Sequence, residues 1–253
     1  MFFKHRLASV FFEKEGNSSQ SIMILPGWGD TRNTFQFLAK HLKQDYTIYI
    51  FDYPGFGNSP PIHRELTIED YSTIFYDFLD EHHIKNPIII AHSFGGRIAS
   101  ILLGRYHIPV RKVILMDVAG IKRRKLTIIF KTIIYKILKS ICLILRQHSL
   151  LKKIRFLFSS NDYHNIPPYM YKTFQNIIHK DLRDDYSQIH SDVLIIWGEN
   201  DPDTPLKDAF YLHKVIQNSG LIVYPHSGHF SYLDQPYLTL RILQSFLDKK
   251  DMD

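Results

Sequence analysis

Pro87-Ile88-Ile89-Ile90-Ala91-His92-Ser93-Phe94-Gly95-Gly96 is the stretch on which the reading of this chain turns. A short β-rich run leads straight into a serine, and a helical pattern over Phe94–Tyr106 follows it. A serine on a tight strand-to-helix turn projects its hydroxyl from the edge of a sheet. Small residues two before and two after it are needed, because strand and helix backbones come close there. Ala91 and Gly95 hold those positions. The helix N-terminus also aims free N–H groups and a positive dipole end at the serine. The plainer reading is a glycine-containing turn with an incidental serine.

Outward from this stretch, similar apolar runs recur at Ser21–Leu25, Thr47–Phe51, Val113–Met116, Val193–Trp197 and Leu221–Tyr224. Continuous runs of this kind read as strands buried on both faces. Helical patterns lie between or after them, at Asn33–Lys43, Thr67–His83, Pro205–Gln217 and Gln235–Lys249. The alternation predicts an α/β fold: a mostly parallel sheet flanked by helices. Phe2–Glu13 supplies one or two leading strands. With 253 residues, the chain buries roughly three quarters of its unfolded surface, so a sizeable core is expected.

One region breaks the alternation. From Ile121 to about Gln188 no buried strand is predicted, and residues 126–146 carry a helical pattern. Lys131, Lys136, Lys139 and Arg146 fall within an arc of about 140°, opposite Leu126, Phe130, Ile133, Ile137 and Ile141. We read residues 121–188 as a helical cap inserted over the carboxyl edge of the sheet. The core is then formed by 1–120 and 189–253.

The net charge of +6 resides in that insertion. Ile121–Arg155 holds eleven Lys/Arg and no acid, which leaves 20 basic against 25 acidic residues elsewhere. This argues against a general nucleic-acid binder. The basic helix is read as a solvated face, as a peripheral membrane contact, or as an attractor of anionic or acyl substrates. The single cysteine, Cys142, excludes an internal disulfide framework and a cysteine-based zinc cage. Charges interrupt the N-terminal apolar residues before a signal sequence forms, and lysines interrupt Ile128–Leu145, so a cytoplasmic protein is expected.

Two further segments follow predicted strands. Gly198-Glu199-Asn200-Asp201-Pro202-Asp203-Thr204 comes after Val193–Trp197, and Ser227-Gly228-His229-Phe230 comes after Leu221–Tyr224. An acid and a histidine there lie at the carboxyl edge, where sites in open α/β folds gather. A serine hydroxyl is a poor nucleophile until a histidine takes its proton, and a carboxylate must orient that histidine. The order Ser93, Asp201, His229 meets this need. Asp203 and Asp117 are alternative acids, and His226 is an alternative base. No His, Asp or Glu cluster has metal-ligand spacing, so no metal is expected.

These segments together resemble the α/β-hydrolase superfamily over nearly the whole chain. Leu25-Pro26-Gly27-Trp28-Gly29 is similar to the family's oxyanion loop, and Asp52-Tyr53-Pro54-Gly55-Phe56-Gly57-Asn58-Ser59 to its D-x-x-G-x-G-x-S loop. The resemblance implies that the backbone N–H groups of Trp28 and Phe94 form an oxyanion hole, and that no cofactor takes part. Its G-x-x-D spacing favours Asp201. Ala91 replaces the usual first glycine of the serine motif, and Pro26 replaces a histidine frequent before Gly27. Gly95-Gly96-Arg97 is similar to a pattern in lyases of the superfamily, where that arginine meets a carboxylated substrate. His92 stands where those lyases carry tyrosine. The alternative for Arg97 is an outward or acid-paired side chain.

The expectation is a capped serine hydrolase that cleaves a small carboxylic ester through an acyl-serine intermediate. Phe130, Tyr163 and Met170 are expected in its acyl pocket. The rival on the same residues is a C–C bond hydrolase or lyase acting on a carboxylated substrate. The rival of another class is a non-catalytic binding protein on this fold.

Overall fold

The structure, a computed structural model, describes residues 1–122, 138 and 166–248. Helix numbers below count the described elements. Eight strands form one sheet in the order β1-β2-β4-β3-β5-β6-β7-β8. They are β1 (Phe2–Lys4), β2 (Ser9–Glu15), β3 (Ser21–Leu25), β4 (Thr47–Asp52), β5 (Ile88–His92), β6 (Lys112–Met116), β7 (Val193–Gly198) and β8 (Ser219–Tyr224). β2 runs antiparallel to β1 and β4, and every pair from β4 to β8 is parallel.

The central strands show why continuous apolar runs were required. Ile22, Ile24, Ile48, Ile50, Ile88 and Ile90 point to one face, where they meet Phe35, Leu38, Leu42, Leu240 and Leu243. Met23, Leu25, Tyr49, Phe51, Ile89 and Ala91 alternate with them and point to the other. Side chains of a strand alternate between faces, so helices on both faces demand apolar residues at every position. The first face is covered by α1 (Gln36–Leu42) and, after the short α7 (Ser231–Asp234), by α8 (Pro236–Asp248). The second is covered by α2 (Ile68–Glu81), α3 (Phe94–Gly104), α5 (Arg183–Ser187) and α6 (Lys207–Val215). Thr67 and Asp70 form a capping box that starts α2, a device worth about 1 kcal/mol.

β8 departs from the expectation. It was read as buried on both faces, yet most of it is half-exposed, because it is the last strand of the sheet and has one neighbour. The expected cap at 121–188 falls largely outside the described residues. Of its returning part, a 3-10 turn (Pro168–Met170) leads into α4 (Tyr171–Ile178) and then α5. α5 and the residue before it are tied to the segment that follows β6: Leu182 N–H donates to Gly120 O at 2.9 Å, and Tyr186 Oη–H donates to Ala119 O at 2.7 Å. Among the described residues, no helix is long and apolar enough to cross a membrane.

Parallel pairing places the carboxyl ends of β3, β5, β6, β7 and β8 along one edge. The segments that begin at Pro26, Ser93, Asp117, Glu199 and Pro225 therefore emerge side by side.

Candidate active site

Ser93 sits between β5 and α3 with φ 48° and ψ −111°. That backbone conformation is costly for a residue with a Cβ, and it is sustained from both sides. Ser93 N–H donates to Met116 O at 3.1 Å, and Ala119 N–H donates to Ser93 O at 2.9 Å. Gly95 N–H donates to Pro26 O at 2.9 Å, which ties the β3 loop to the start of α3. Phe94 opens α3, so its N–H has no acceptor within the helix.

Ser93 Oγ lies 2.9 Å from His229 Nε2, and His229 Nδ1 lies 2.8 Å from Asp201 Oδ2. The serine hydroxyl is thus set to donate to Nε2, while Nδ1–H donates to the carboxylate. Asp201 is held in turn: its Oδ1 accepts from the N–H groups of Asp203 at 2.8 Å and Thr204 at 2.9 Å. Its Oδ2 also accepts from the Thr204 hydroxyl.

Burial raises the pKa of Asp201, but the hydrogen bond and charge of His229 with the Thr204 bonds outweigh it and hold that pKa below the usual value. Burial likewise lowers that of His229, but Asp201, helped by Asp203 and Asp117, carries it above the ordinary imidazole value. Each partner stabilises the charged form of the other.

The alternative residues fall elsewhere. Asp203 is exposed at the mouth of the site, and its amide serves Asp201. His226 is exposed, and its N–H donates to Glu199 at 3.1 Å. Asp117 is buried and bonds to neither His229 nor Ser93. Its Oδ1 accepts Gly198 N–H at 2.7 Å and its Oδ2 accepts the Ser231 hydroxyl, so it joins the acid loop to the histidine loop. Burial pushes its pKa up to about 7 despite those bonds. Asp201, Asp203 and His229 offer ligand atoms within 4.8 Å of one another, a spacing the sequence did not reveal. Both ring nitrogens of His229 are already engaged, with Asp201 and Ser93.

A cavity of about 250 Å³ opens beside Ser93. Trp28, Phe94, Phe174, Ile177 and Ile178 supply apolar surface. The Trp28 ring meets those of Phe56, Phe94 and Phe174 at 5.0, 5.1 and 5.4 Å. Arg97 also lines the cavity, neither outward nor paired with an acid. Its guanidinium NH1 donates to Ile177 O and Lys180 O, both at 3.1 Å, and so anchors the end of α4 on α3.

Met170 is a correction. It is fully buried beneath the Asp52–Ser59 loop, with Sδ 2.8 Å from where a Cβ on Gly55 would lie, and it does not line the cavity. Phe130 and Tyr163 lie outside the described residues, as does the basic helix. Sequence reasoning missed Asp30, Thr204 and Phe174. Thr204, three residues after Asp201, carried a signal as a side-chain turn partner. Phe174 and Asp30 carried none, since only packing brings them to the cavity.

Comparison with known proteins agrees with this architecture. Residues 20–128 match the family model described as alpha/beta hydrolase fold. A Bacillus subtilis protein described as uncharacterized hydrolase YugF is 24% identical over 94% of this chain and 94% of its own length. An α/β hydrolase enzyme from a Medee basin deep-sea metagenome superposes with TM-score 0.78 at 19% identity, covering 100% of this chain and 99% of that one. An esterase from Exiguobacterium antarcticum superposes with TM-score 0.76 at 21% identity, over 96% of each chain. The chain has the α/β-hydrolase fold, and the matched residues carry its β3–β5 region and the serine turn.

Proposed function

We propose that Ser93, His229 and Asp201 act as a catalytic triad and that the protein hydrolyses a small carboxylic ester. The observation that carries this is the unbroken hydrogen-bond line from Ser93 through His229 to Asp201, opening on a largely apolar cavity. Ser93 Oγ attacks the ester carbonyl as His229 takes its proton. The N–H groups of Trp28 and Phe94 receive the oxyanion; one such donor is worth about 10²–10³ in rate. Collapse expels the alcohol, which takes the proton from His229, and leaves an acyl-serine. Water then attacks with His229 as base, releasing the acid and restoring Ser93. The residues in these roles need no metal or organic cofactor. The esterase name of one structural neighbour supports the substrate class.

The test is labelling with a fluorophosphonate probe, followed by a chain-length series of acyl esters. Wild type labels and turns over short esters, while Ser93→Ala does neither. Absence of wild-type labelling overturns the reading and favours a binding protein on this fold.

A second reading is C–C bond cleavage on a carboxylated substrate. The presence of Arg97 in the cavity wall favours it; two backbone carbonyls already occupying NH1 count against it.

A further inference from the structure

Behind the catalytic histidine lies a second acid and imidazole that the proposed mechanism does not use. His92 is fully buried, ringed by His229, Phe230 and Tyr232 at 5.0 Å each. Its Nε2 is 2.8 Å from His229 O. A carbonyl oxygen only accepts, so Nε2 carries the ring proton and Nδ1 is left as an acceptor. Nδ1 faces Asp30 Oδ2 at 3.8 Å, and both atoms are buried without a hydrogen-bond partner. Two facing buried acceptors are unfavourable unless a proton lies between them.

We infer that Asp30, while protonated, donates to His92 Nδ1, so that in this state Asp30 and His92 form a positioning pair that clamps the backbone of His229. This rests on the triad reading above. A side-chain rotation that closes the gap by about 1 Å brings the two atoms to hydrogen-bonding distance. Burial pushes the Asp30 carboxyl up to about 6 and the His92 imidazole down to about 3, so below about pH 6 the acid, not the ring, holds the proton of the pair. The other titratable groups acting on Asp30 are His229, Tyr53 and Tyr232; burial raises both tyrosines, which stay neutral.

The experiment is nitrogen-15 NMR of the histidines in the whole protein, with fluorophosphonate labelling rates measured alongside. In wild type, His92 Nδ1 reads as hydrogen-bonded at low pH and loses that bond as pH rises through about 6. In Asp30→Asn the amide supplies the donor, so the bond persists at all pH and, below about pH 6, labelling stays within about threefold of wild type. In Asp30→Ala, Nδ1 reads bare at all pH, and below about pH 6 labelling is slower than wild type by roughly ten- to a hundredfold as His229 loses its support. An Nδ1 signal that is the same in all three proteins overturns the inference, as does an Asn variant as slow as the Ala variant. Failure of the triad reads differently: wild type goes unlabelled while the His92 signals behave as stated.

Discussion

Gly95 and Leu25 meet backbone to backbone: a Cβ on Gly95 would overlap the carbonyl oxygen of Leu25. This contact brings the end of β3 against the first turn of α3. It sets the loop that begins at Pro26 beside Ser93, and the 2.9 Å bond from Gly95 N–H to Pro26 O locks it there.

Gly95→Ala therefore drives strand and helix apart. It is expected to cost more than about 2 kcal/mol in denaturant unfolding and to abolish fluorophosphonate labelling. Gly220 is the control, because a Cβ there meets nothing within 4 Å. Gly220→Ala stays within about 0.5 kcal/mol and labels normally.

The pH–rate profile follows from the pair His229–Asp201. The proposed mechanism needs neutral His229, and its pKa lies above the ordinary imidazole value. Activity therefore rises with pH through a limb centred above that value. Asp201→Asn removes the carboxylate that holds the limb up, so the limb moves to lower pH and kcat falls by about 10⁴. A limb unmoved in that variant contradicts the assignment of Asp201.

Asp117 makes a prediction about stability. Its folded pKa is raised to about 7, so between the unfolded value and pH 7 the folded state binds more protons than the unfolded one. Its contribution is thus largest below the unfolded value and is lost as pH rises through about 7. Asp117→Asn lacks this term, so the stability of wild type relative to the variant declines from pH 4 to pH 7. Urea unfolding at several pH values measures the slope.

Arg97 holds the end of α4 through two carbonyls, and α4 carries Phe174, Ile177 and Ile178 into the cavity. For an ester hydrolase, Arg97→Ala loosens this wall and raises KM severalfold for neutral and anionic substrates alike. A loss confined to anionic substrates supports the carboxylate-directed chemistry instead.

Phe174 is the largest of those three side chains, buried against Trp28. Phe174→Ala enlarges the cavity and is expected to shift the preferred acyl chain to greater length, at a cost of up to about 3–5 kcal/mol in stability. The chain-length series reads the first effect and thermal unfolding the second.

Each apolar run from Ser21–Leu25 to Leu221–Tyr224 corresponds to a strand, and each helical pattern outside the insertion corresponds to a helix, with shifts of one or two residues at the ends. That much is determined by sequence alone, because the requirement for apolar side chains on both faces of a central strand is local and leaves an unbroken local record. The turn at Ser93 is local in the same way. Tertiary structure decided which acid faces His229, since Asp201, Asp203 and Asp117 all follow strands and differ only in where loop geometry aims them. It also decided the burial of Met170, the half-exposure of β8, the use of Arg97 as an anchor for α4, and the meeting of Asp30 with His92 across 62 positions of chain. These depend on strand order and on packing across loops. Side chains distant in sequence share no periodicity, so only the folded sheet brings them within hydrogen-bonding reach.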